Sequence, residues 1–465
     1  MASAEPKFTL QVLWQSEDSI RVTPFKEGTA LESTLKTSRT CSFHSELVAE
    51  RAREILAILT RANAGQDGLM KELVEAGRAI YVDLLPSFLK EKLQEARAPN
   101  LVLHLDKPLV GIPWELLHDG DDFLGRRFRL GRLVTVDEES APPMQRRMAP
   151  PLSVLIVADP SGDLPAAQHE AHEVESLLED SPVIGSVTTL TGRVALRTLR
   201  DELPKHDILH YAGHADFDDR SGEAQLRLSD GALSTKLIDQ VSGRVDFPGL
   251  VFLNACRSAD EMGAGPAGSH ALGPAGVASS LLLAGVRHVV GTLWEVRDEV
   301  ARHFARSFYR SLGASETVGV AMERARHAIA GKYGEDRLFW ADHLLYGDPT
   351  WRLESPRNLT FDDMDVLDGL EARYRAELFS EDGATRLLAA AMLLRLGDRS
   401  VASAVQRDLS LLESWISPHA SRKERRQAAL VAHALASAAG LCPVEPPGEA
   451  PDIEAVRRLL GRLSG

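Results

Sequence analysis

Two short apolar runs, each ending beside a chemically reactive side chain, place the strongest constraint on how this chain can fold. Residues 208–212 (ILHYA) lead towards His214, and residues 250–254 (LVFLN) lead towards Cys256. Runs of this length, rich in Val, Leu and Phe and stopped by small residues, are typical of buried strands in a parallel sheet. Functional groups in such sheets collect at the carboxyl ends of the strands. The pattern therefore predicts an imidazole and a thiol facing each other across neighbouring strands.

This pairing has a specific chemical meaning. A free thiol has a pKa of about 8.5, and a nearby histidine activates it by accepting its proton. Cys256 would then be the nucleophile of a cysteine peptidase, and His214 the general base that later protonates the leaving amine. The alternative for each residue alone is structural, because a buried cysteine commonly packs as a small apolar side chain.

The wider pattern predicts the fold class. From residue 152 onward, strand-like runs alternate with amphipathic helical segments, which indicates a mainly parallel α/β sheet with right-handed crossovers. His210 and His214 are four residues apart, so in a strand their Cα atoms would be separated by about 13 Å, too far to share one metal ion. His210 is therefore expected to be a packed core histidine, and no metal is predicted.

Four segments, in order, resemble the motifs of the CHAT family of caspase-like cysteine peptidases, the branch that also resembles separase. They are residues 208–214 (ILHYAGH), 250–258 (LVFLNACRS), 285–298 (GVRHVVGTLWEVRD) and 339–349 (FWADHLLYGDP). The resemblance implies a caspase-like sheet flanked by helices and a catalytic pair formed by Cys256 and His214. It also implies oxyanion donors at the backbone amides of Ala215 and Cys256. Family members often have glycine at the position of Ala215, and alanine restricts φ there.

Substrate recognition has three candidate residues. A pocket for Arg or Lys needs a carboxylate at its base, and Asp159 and Asp298 follow predicted strands closely enough to supply one. The alternative for both acids is a solvated or helix-capping position. The resemblance implies that Trp294 lines the substrate cleft, with core packing as its alternative.

Composition limits the partners. The net charge of −14 argues against nonspecific nucleic-acid binding, which needs a positive surface. Three widely separated cysteines form neither a disulfide framework nor a metal motif, so a reducing cytoplasm is expected. No secretion signal and no membrane span are predicted. The glycine-rich residues 262–276 lack the spacing of a phosphate loop, so nucleotide binding is not expected. No cofactor is predicted.

Three regions are predicted along the chain. Residues 1–140 are interpreted as an N-terminal pseudo-peptidase-like α/β subdomain, and residues 152–353 as the caspase-like peptidase domain. Residues 356–465 contain Ala- and Leu-rich helical segments and are interpreted as a recognition or regulatory region that contacts a regulatory protein. The alternative is a helical extension that completes the peptidase fold.

The leading hypothesis is a cytoplasmic bacterial cysteine endopeptidase that cleaves a specific partner protein. The resemblance further suggests regulated proteolysis, for instance activation of a defence effector. The competing hypothesis is a noncatalytic protein-binding scaffold that keeps the caspase-like sheet. A nucleotide-binding doubly wound protein is disfavoured because the phosphate loop is missing.

Overall fold

The structure is a computed structural model, and the contacts divide the chain into two units, residues 1–355 and 356–465. The residues that it describes are 5–26, 38–135, 146, 148, 151–181, 183–218, 223–242, 245–255, 276–292, 296–353, 374–375, 377–395, 399–417, 419–420, 424, 427–428, 431–432, 435 and 458. Cys256, Trp294 and almost all of the glycine-rich segment lie outside the described residues, as does most of the region after residue 435.

The first unit is built on strands from both of its predicted halves. The described strands are β1 (Lys7–Ser16), β2 (Ser19–Lys26), β3 (Arg39–Ser42), β4 (Asn100–Asp106), β5 (Arg129–Thr135), β6 (Leu152–Ala158), β7 (Ile184–Thr191), β8 (Ile208–Ala212), β9 (Ala215–Asp218), β10 (Glu223–Arg227), β11 (Ala232–Ser234), β12 (Leu250–Asn254), β13 (His288–Thr292) and β14 (His343–Tyr346). In the described part of the chain, eleven of them form one sheet in the order β3-β2-β1-β4-β5-β14-β13-β12-β8-β6-β7.

Most pairs in this sheet are parallel. The pairs that β14 forms with β13, and that β2 forms with β1 and β3, are antiparallel, and the remaining neighbours run parallel. All seven residues of β6 and all five of β8 are buried, as expected for strands covered on both faces. The prediction of a mainly parallel α/β sheet flanked by helices is confirmed.

Helices cover the faces of the sheet. Those of the first unit are α1 (Ser45–Asn63), α2 (Met70–Leu84), α3 (Ser87–Glu95), α4 (Leu124–Arg127), α5 (Pro165–Glu179), α6 (Leu196–Glu202), α7 (Thr235–Val241), α8 (Val277–Leu283), α9 (Asp298–Gly313) and α10 (Val318–Tyr333). The helix α9 shows the principle clearly: Phe304, Phe308 and Leu312 recur at intervals of four residues and are all buried. Pro86 separates α2 from α3 because its ring cannot continue a helix.

The predicted boundary between residues 140 and 152 falls between β5 and β6, and strands from both sides belong to the same sheet. Trp114 is fully buried, and its indole Nε1 donates to the Leu109 carbonyl at 2.9 Å. The division of the first unit into an N-terminal subdomain and a peptidase domain stays a prediction.

The segment after His214 differs from its expected form. The sequence predicts a polar loop over residues 216–222, whereas β9 begins at Ala215 and pairs with β10 in a small antiparallel sheet that also includes β11. The strand β9 reads ADFD, and two acidic residues in four hide the alternation by which strands are recognised in a sequence. Pairing with β10, rather than the local sequence, therefore determines that these residues form a strand.

The second unit contains α11 (Gly383–Arg395), α12 (Ala402–Arg407) and α13 (Leu409–Ile416). Their apolar faces share a core that includes Leu387, Leu393, Val405 and Leu412. Among the described residues of the whole chain, no helix combines the length and the apolar character that crossing a membrane requires.

Candidate active site

The strands that carry the two reactive motifs are direct neighbours. β8 pairs with β12 in parallel register, with Ala212 opposite Asn254, and the Gly213 amide donates to the Asn254 carbonyl at 3.2 Å. His214 follows Ala212 by two residues, and Cys256 follows Asn254 by two residues. Both motifs therefore leave the sheet at the same carboxyl edge, although Cys256 itself lies outside the described residues.

Hydrogen bonds to backbone carbonyl groups fix the turn that carries His214. The Tyr211 hydroxyl lies 2.8 Å from the His214 carbonyl and 2.7 Å from the Arg227 carbonyl, and the Arg227 amide donates to the His214 carbonyl at 2.9 Å. A Cβ on Gly213 would come within 2.8 Å of the Tyr211 hydroxyl. Burial raises the pKa of Tyr211, so its hydroxyl stays protonated as a donor. This packing requires glycine before the histidine.

The His214 imidazole faces an acid that the sequence analysis did not identify. Its Nε2 lies 3.2 Å from Asp163 Oδ1, with the histidine side chain 31% exposed and the aspartate side chain 57% exposed. The Ser161 hydroxyl donates to the same Oδ1 at 2.5 Å, and this bond, with the adjacent imidazole, holds the pKa of Asp163 below its usual range. No spacing rule signals this contact, because 51 residues separate the acid from the histidine.

Asp159 organises the loop in which Asp163 lies. Its carboxylate is buried, its Oδ1 accepts the amides of Gly162 at 2.9 Å and Leu164 at 2.7 Å, and its Oδ2 accepts from Gln168 at 2.7 Å. Asp159 also adopts a left-handed backbone conformation with φ of 52°. Such a conformation is tolerated by Asp better than by most residues, since its short side chain can bond the local backbone. Asp159 therefore fixes the conformation of the loop that contains Asp163.

A cavity of about 90 Å³ lies at the carboxyl ends of β8 and β12, beside α5 and α9. Its lining includes His214, Asn254, Glu170 and Asp298, together with apolar side chains from α5 and α9. Asp298 is the first residue of α9 and is exposed, whereas Glu170 is 4% exposed. Asp298 was a sequence candidate for substrate binding, and Glu170 was not.

Two residues of the cavity lining, Glu170 and Asn254, belong to a network of polar side chains. Glu170 Oε1 accepts a hydrogen bond of 2.6 Å from Asn254 Nδ2, and Asn254 Oδ1 lies 3.2 Å from His343 Nε2. His210 Nε2 lies 2.9 Å from Glu170 Oε1, and its Nδ1 lies 3.2 Å from the Tyr309 hydroxyl. His210 is fully buried, as expected for a core histidine.

The other sequence candidates are placed as follows. Ala215 is the first residue of β9 and is half-buried, while Trp294 lies outside the described residues. Within the part of the chain that the structure describes, no group of three or more His, Cys, Asp or Glu side chains has a geometry suited to a metal ion.

Comparison with protein families identifies the region that contains the site. The model of the CHAT domain matches residues 74–348, more than half of the 465-residue chain. This chain belongs to the CHAT domain family. The match includes His214 and Cys256, and it begins in α2, so the family domain extends across the boundary predicted near residue 140. The CHAT assignment made from the four sequence motifs is confirmed.

Solved structures with a similar chain path include separase from Saccharomyces cerevisiae in complex with securin. Two such structures are 12% and 14% identical to this CHAT protein, with TM-scores of 0.46 and 0.47, and cover 74% and 75% of it. A third is gingipain R, an Arg-specific cysteine proteinase, at 12% identity and a TM-score of 0.39, covering 66% of this chain and 76% of its own. This chain spans 30% of the separase chain. A comparison with curated proteins finds no match.

Proposed function

We propose that this CHAT protein is a cysteine endopeptidase in which Cys256 is the nucleophile and His214 the general base. The observation that carries the proposal is the register of β8 and β12, in which Ala212 lies opposite Asn254 and the Gly213 amide bonds the Asn254 carbonyl. Each reactive residue follows one of these paired positions by two residues. Neighbouring parallel strands lie about 4.8 Å apart, a separation that side chains at their ends can bridge.

The proposed reaction has two stages. The His214 imidazole accepts the Cys256 proton, and the thiolate attacks the carbonyl carbon of the scissile peptide bond. The carbon–nitrogen bond then breaks as His214 returns the proton to the leaving amine, which leaves a thioester. In the second stage His214 accepts a proton from water, the hydroxide attacks the thioester, and the released thiolate recovers the proton.

Two supporting roles follow. Asp163 would hold the His214 ring through Nε2, so that Nδ1 is the nitrogen available to the thiol, and would stabilise the imidazolium that forms. The backbone amides of Ala215 and Cys256 are proposed to bind the oxyanion of the tetrahedral intermediate. Alanine keeps the amide donor that glycine would supply at position 215.

The cavity beside His214 is proposed to receive a substrate side chain. Asp298 lines the cavity, is exposed to solvent and would contact the substrate. Trp294 is proposed as a further residue of the substrate cleft because of the family resemblance. Asp159 was a candidate for substrate binding, but its carboxylate oxygens already accept three hydrogen bonds from Gly162, Leu164 and Gln168. We therefore propose that Asp159 acts by shaping the loop that holds Asp163.

The proposed substrate is a partner protein, and the proposed setting is regulated proteolysis in a bacterial cytoplasm, such as activation of a defence effector. The helical unit after residue 356 would bind the substrate or a regulatory protein. The core shared by α11, α12 and α13 supports the view that this unit folds around a core of its own.

Incubation of the full-length protein with proteins encoded near its gene, followed by mass spectrometry of new termini, tests the proposal. We expect new termini with the wild type and with Cys41→Ser, and none with Cys256→Ala or His214→Ala. Unchanged cleavage by Cys256→Ala would refute the assignment of the nucleophile. A Cys256→Ala protein that still delivers the biological effect would favour the noncatalytic scaffold.

A further inference from the structure

The contact between Glu170 and Asn254 lies in the wall of the cavity and has no role in the proposed chemistry. Glu170 belongs to α5, is 4% exposed, and accepts the Asn254 side-chain amide at 2.6 Å. A short contact between a carboxylate and an N–H donor is among the stronger hydrogen bonds in proteins. This bond therefore ties α5 to the end of the strand that precedes Cys256.

The Asn254 amide is held in a single orientation. Its Nδ2 faces a carboxylate, which can only accept, and its Oδ1 faces His343 Nε2 at 3.2 Å. Burial lowers the pKa of His343 to about 3, so its ring is neutral at neutral pH. With Asn254 Nδ2 turned towards Glu170, Oδ1 faces His343, and the tautomer with hydrogen on Nε2 is the one that can donate to it. A flipped amide would place its oxygen against the Glu170 carboxylate, and this repulsion disfavours the flip.

The main chain of Asn254 is held as well. Its carbonyl accepts the Gly213 amide at 3.2 Å, and its backbone lies opposite Ala212 in the sheet register. Asn254 is thus bound to the histidine strand by its backbone and to α5 and β14 by its side chain. It is the last residue of β12, and the chain continues through Ala255 to Cys256.

We propose that Glu170 and Asn254 form a positioning pair that fixes the carboxyl end of β12, so that Cys256 meets His214 at proton-transfer distance. This inference rests on the proposed peptidase function. Glu170 is a positioning residue here, because it acts through Asn254. Both contacts that Glu170 makes within the described residues use Oε1. Because Glu170 also lines the cavity, one competing role for its carboxylate is the binding of a positively charged substrate side chain.

Alkylation of Cys256 by iodoacetamide, measured on the Cys256 peptide between pH 5.5 and 9.5, tests the proposal without a known substrate. A thiol activated by His214 reacts with a midpoint below the value of about 8.5 for a free cysteine. We expect Glu170→Ala to slow alkylation at pH 7 on the order of 10- to 100-fold and to raise the midpoint, since small misplacements of reacting groups have effects of this size.

An exchange of the two side chains sharpens the test. Asn254→Asp alone sets two carboxylates against each other, so we expect slow alkylation. Glu170→Gln combined with Asn254→Asp restores an N–H···O contact in the opposite direction, so the double variant should react faster than Asn254→Asp. Glu115→Gln alters another buried carboxylate, which is paired with Arg132 and lies outside the cavity lining. This control should lower thermal stability without moving the alkylation midpoint.

Several outcomes would overturn the inference. A folded Glu170→Ala protein that is alkylated like the wild type would do so, as would a double variant no faster than Asn254→Asp. With peptide substrates, a loss confined to those with Arg or Lys at the cleaved bond would assign Glu170 to cation binding instead. If wild-type Cys256 reacts with a midpoint near 8.5 and His214→Ala changes nothing, the proposed peptidase function itself fails, whatever Glu170 does.

Discussion

Gly213 and Asn254 are joined across the sheet by a backbone hydrogen bond of 3.2 Å, one residue after β8 ends and at the last residue of β12. The bond extends the parallel ladder beyond the end of β8, so the chain segments leading to His214 and to Cys256 start from a common, fixed point.

The Asp163 carboxylate should contribute modestly to activity. Asp163→Asn removes the charge that faces His214 Nε2, and we expect kcat to fall roughly two- to fivefold at pH 7, because exposed ion pairs are weak. Steady-state cleavage of the identified substrate gives the measurement. Ser161→Ala, which keeps the carboxylate, should have a smaller effect. A loss of a hundredfold or more in Asp163→Asn would show that we have underestimated this residue.

Gly213 should tolerate no side chain. In Gly213→Ala the new Cβ would lie 2.8 Å from the Tyr211 hydroxyl and 2.9 Å from Pro160 Cδ, so we expect a loss of about 1–3 kcal/mol in the free energy of unfolding. Urea denaturation measures the change. Gly331→Ala is the matched control: its Cβ would meet nothing within 4 Å in α10, and we expect a gain of about 0.5–1 kcal/mol. Equal effects of the two substitutions would contradict the packing argument.

The buried ion pair between Arg132 and Glu115 should be costly to break. Arg132 is fully buried, its Nε donates to Glu115 Oε1 at 3.1 Å, and its Nη1 donates to the Val110 carbonyl at 2.6 Å. Glu115→Ala would leave the guanidinium without its carboxylate, so we expect a loss of about 3–5 kcal/mol in chemical denaturation. The double variant Glu115→Leu/Arg132→Met should be less destabilised than Glu115→Ala. If it is not, loss of packing rather than an uncompensated charge sets the cost.

Stability should fall in mild acid because of two buried histidines. Burial lowers the pKa of His288 to about 4 and that of His343 to about 3, whereas an unfolded histidine titrates near 6.5. Below pH ~6.5 the unfolded chain therefore binds protons that the folded chain does not. The stabilisation is complete above that pH and is lost as the pH falls towards the folded values, by about 1.4 kcal/mol per pH unit for each histidine.

Urea denaturation at pH 7.5, 6 and 5 tests this dependence. We expect His288→Leu, which cannot titrate, to reduce the slope below pH 6.5 by about 1.4 kcal/mol per pH unit. A substitution of the exposed His44 serves as the control. Equal stability of the wild type at pH 7.5 and pH 5 would contradict the prediction.

Several strand and helix identities followed from local pattern. The run LVFLN is apolar enough to be a buried strand, and β12 spans Leu250–Asn254. Pro86 divides a long helical pattern as its missing amide requires. The strand β9 was missed because its four residues carry two acids, and strand pairing overrode local propensity there.

By itself, the sequence determined the family, the mainly parallel α/β class and the two residues proposed for the chemistry, because short apolar runs and ordered motifs are local properties. Only the tertiary structure decided that Asp163 faces His214 and that Glu170 holds Asn254. These pairs are 51 and 84 residues apart, and α5 and the loop before it must pack on the sheet before the side chains can meet. Hydrogen bonds between side chains so distant in sequence leave no periodicity, since their geometry is set by the packing of whole elements.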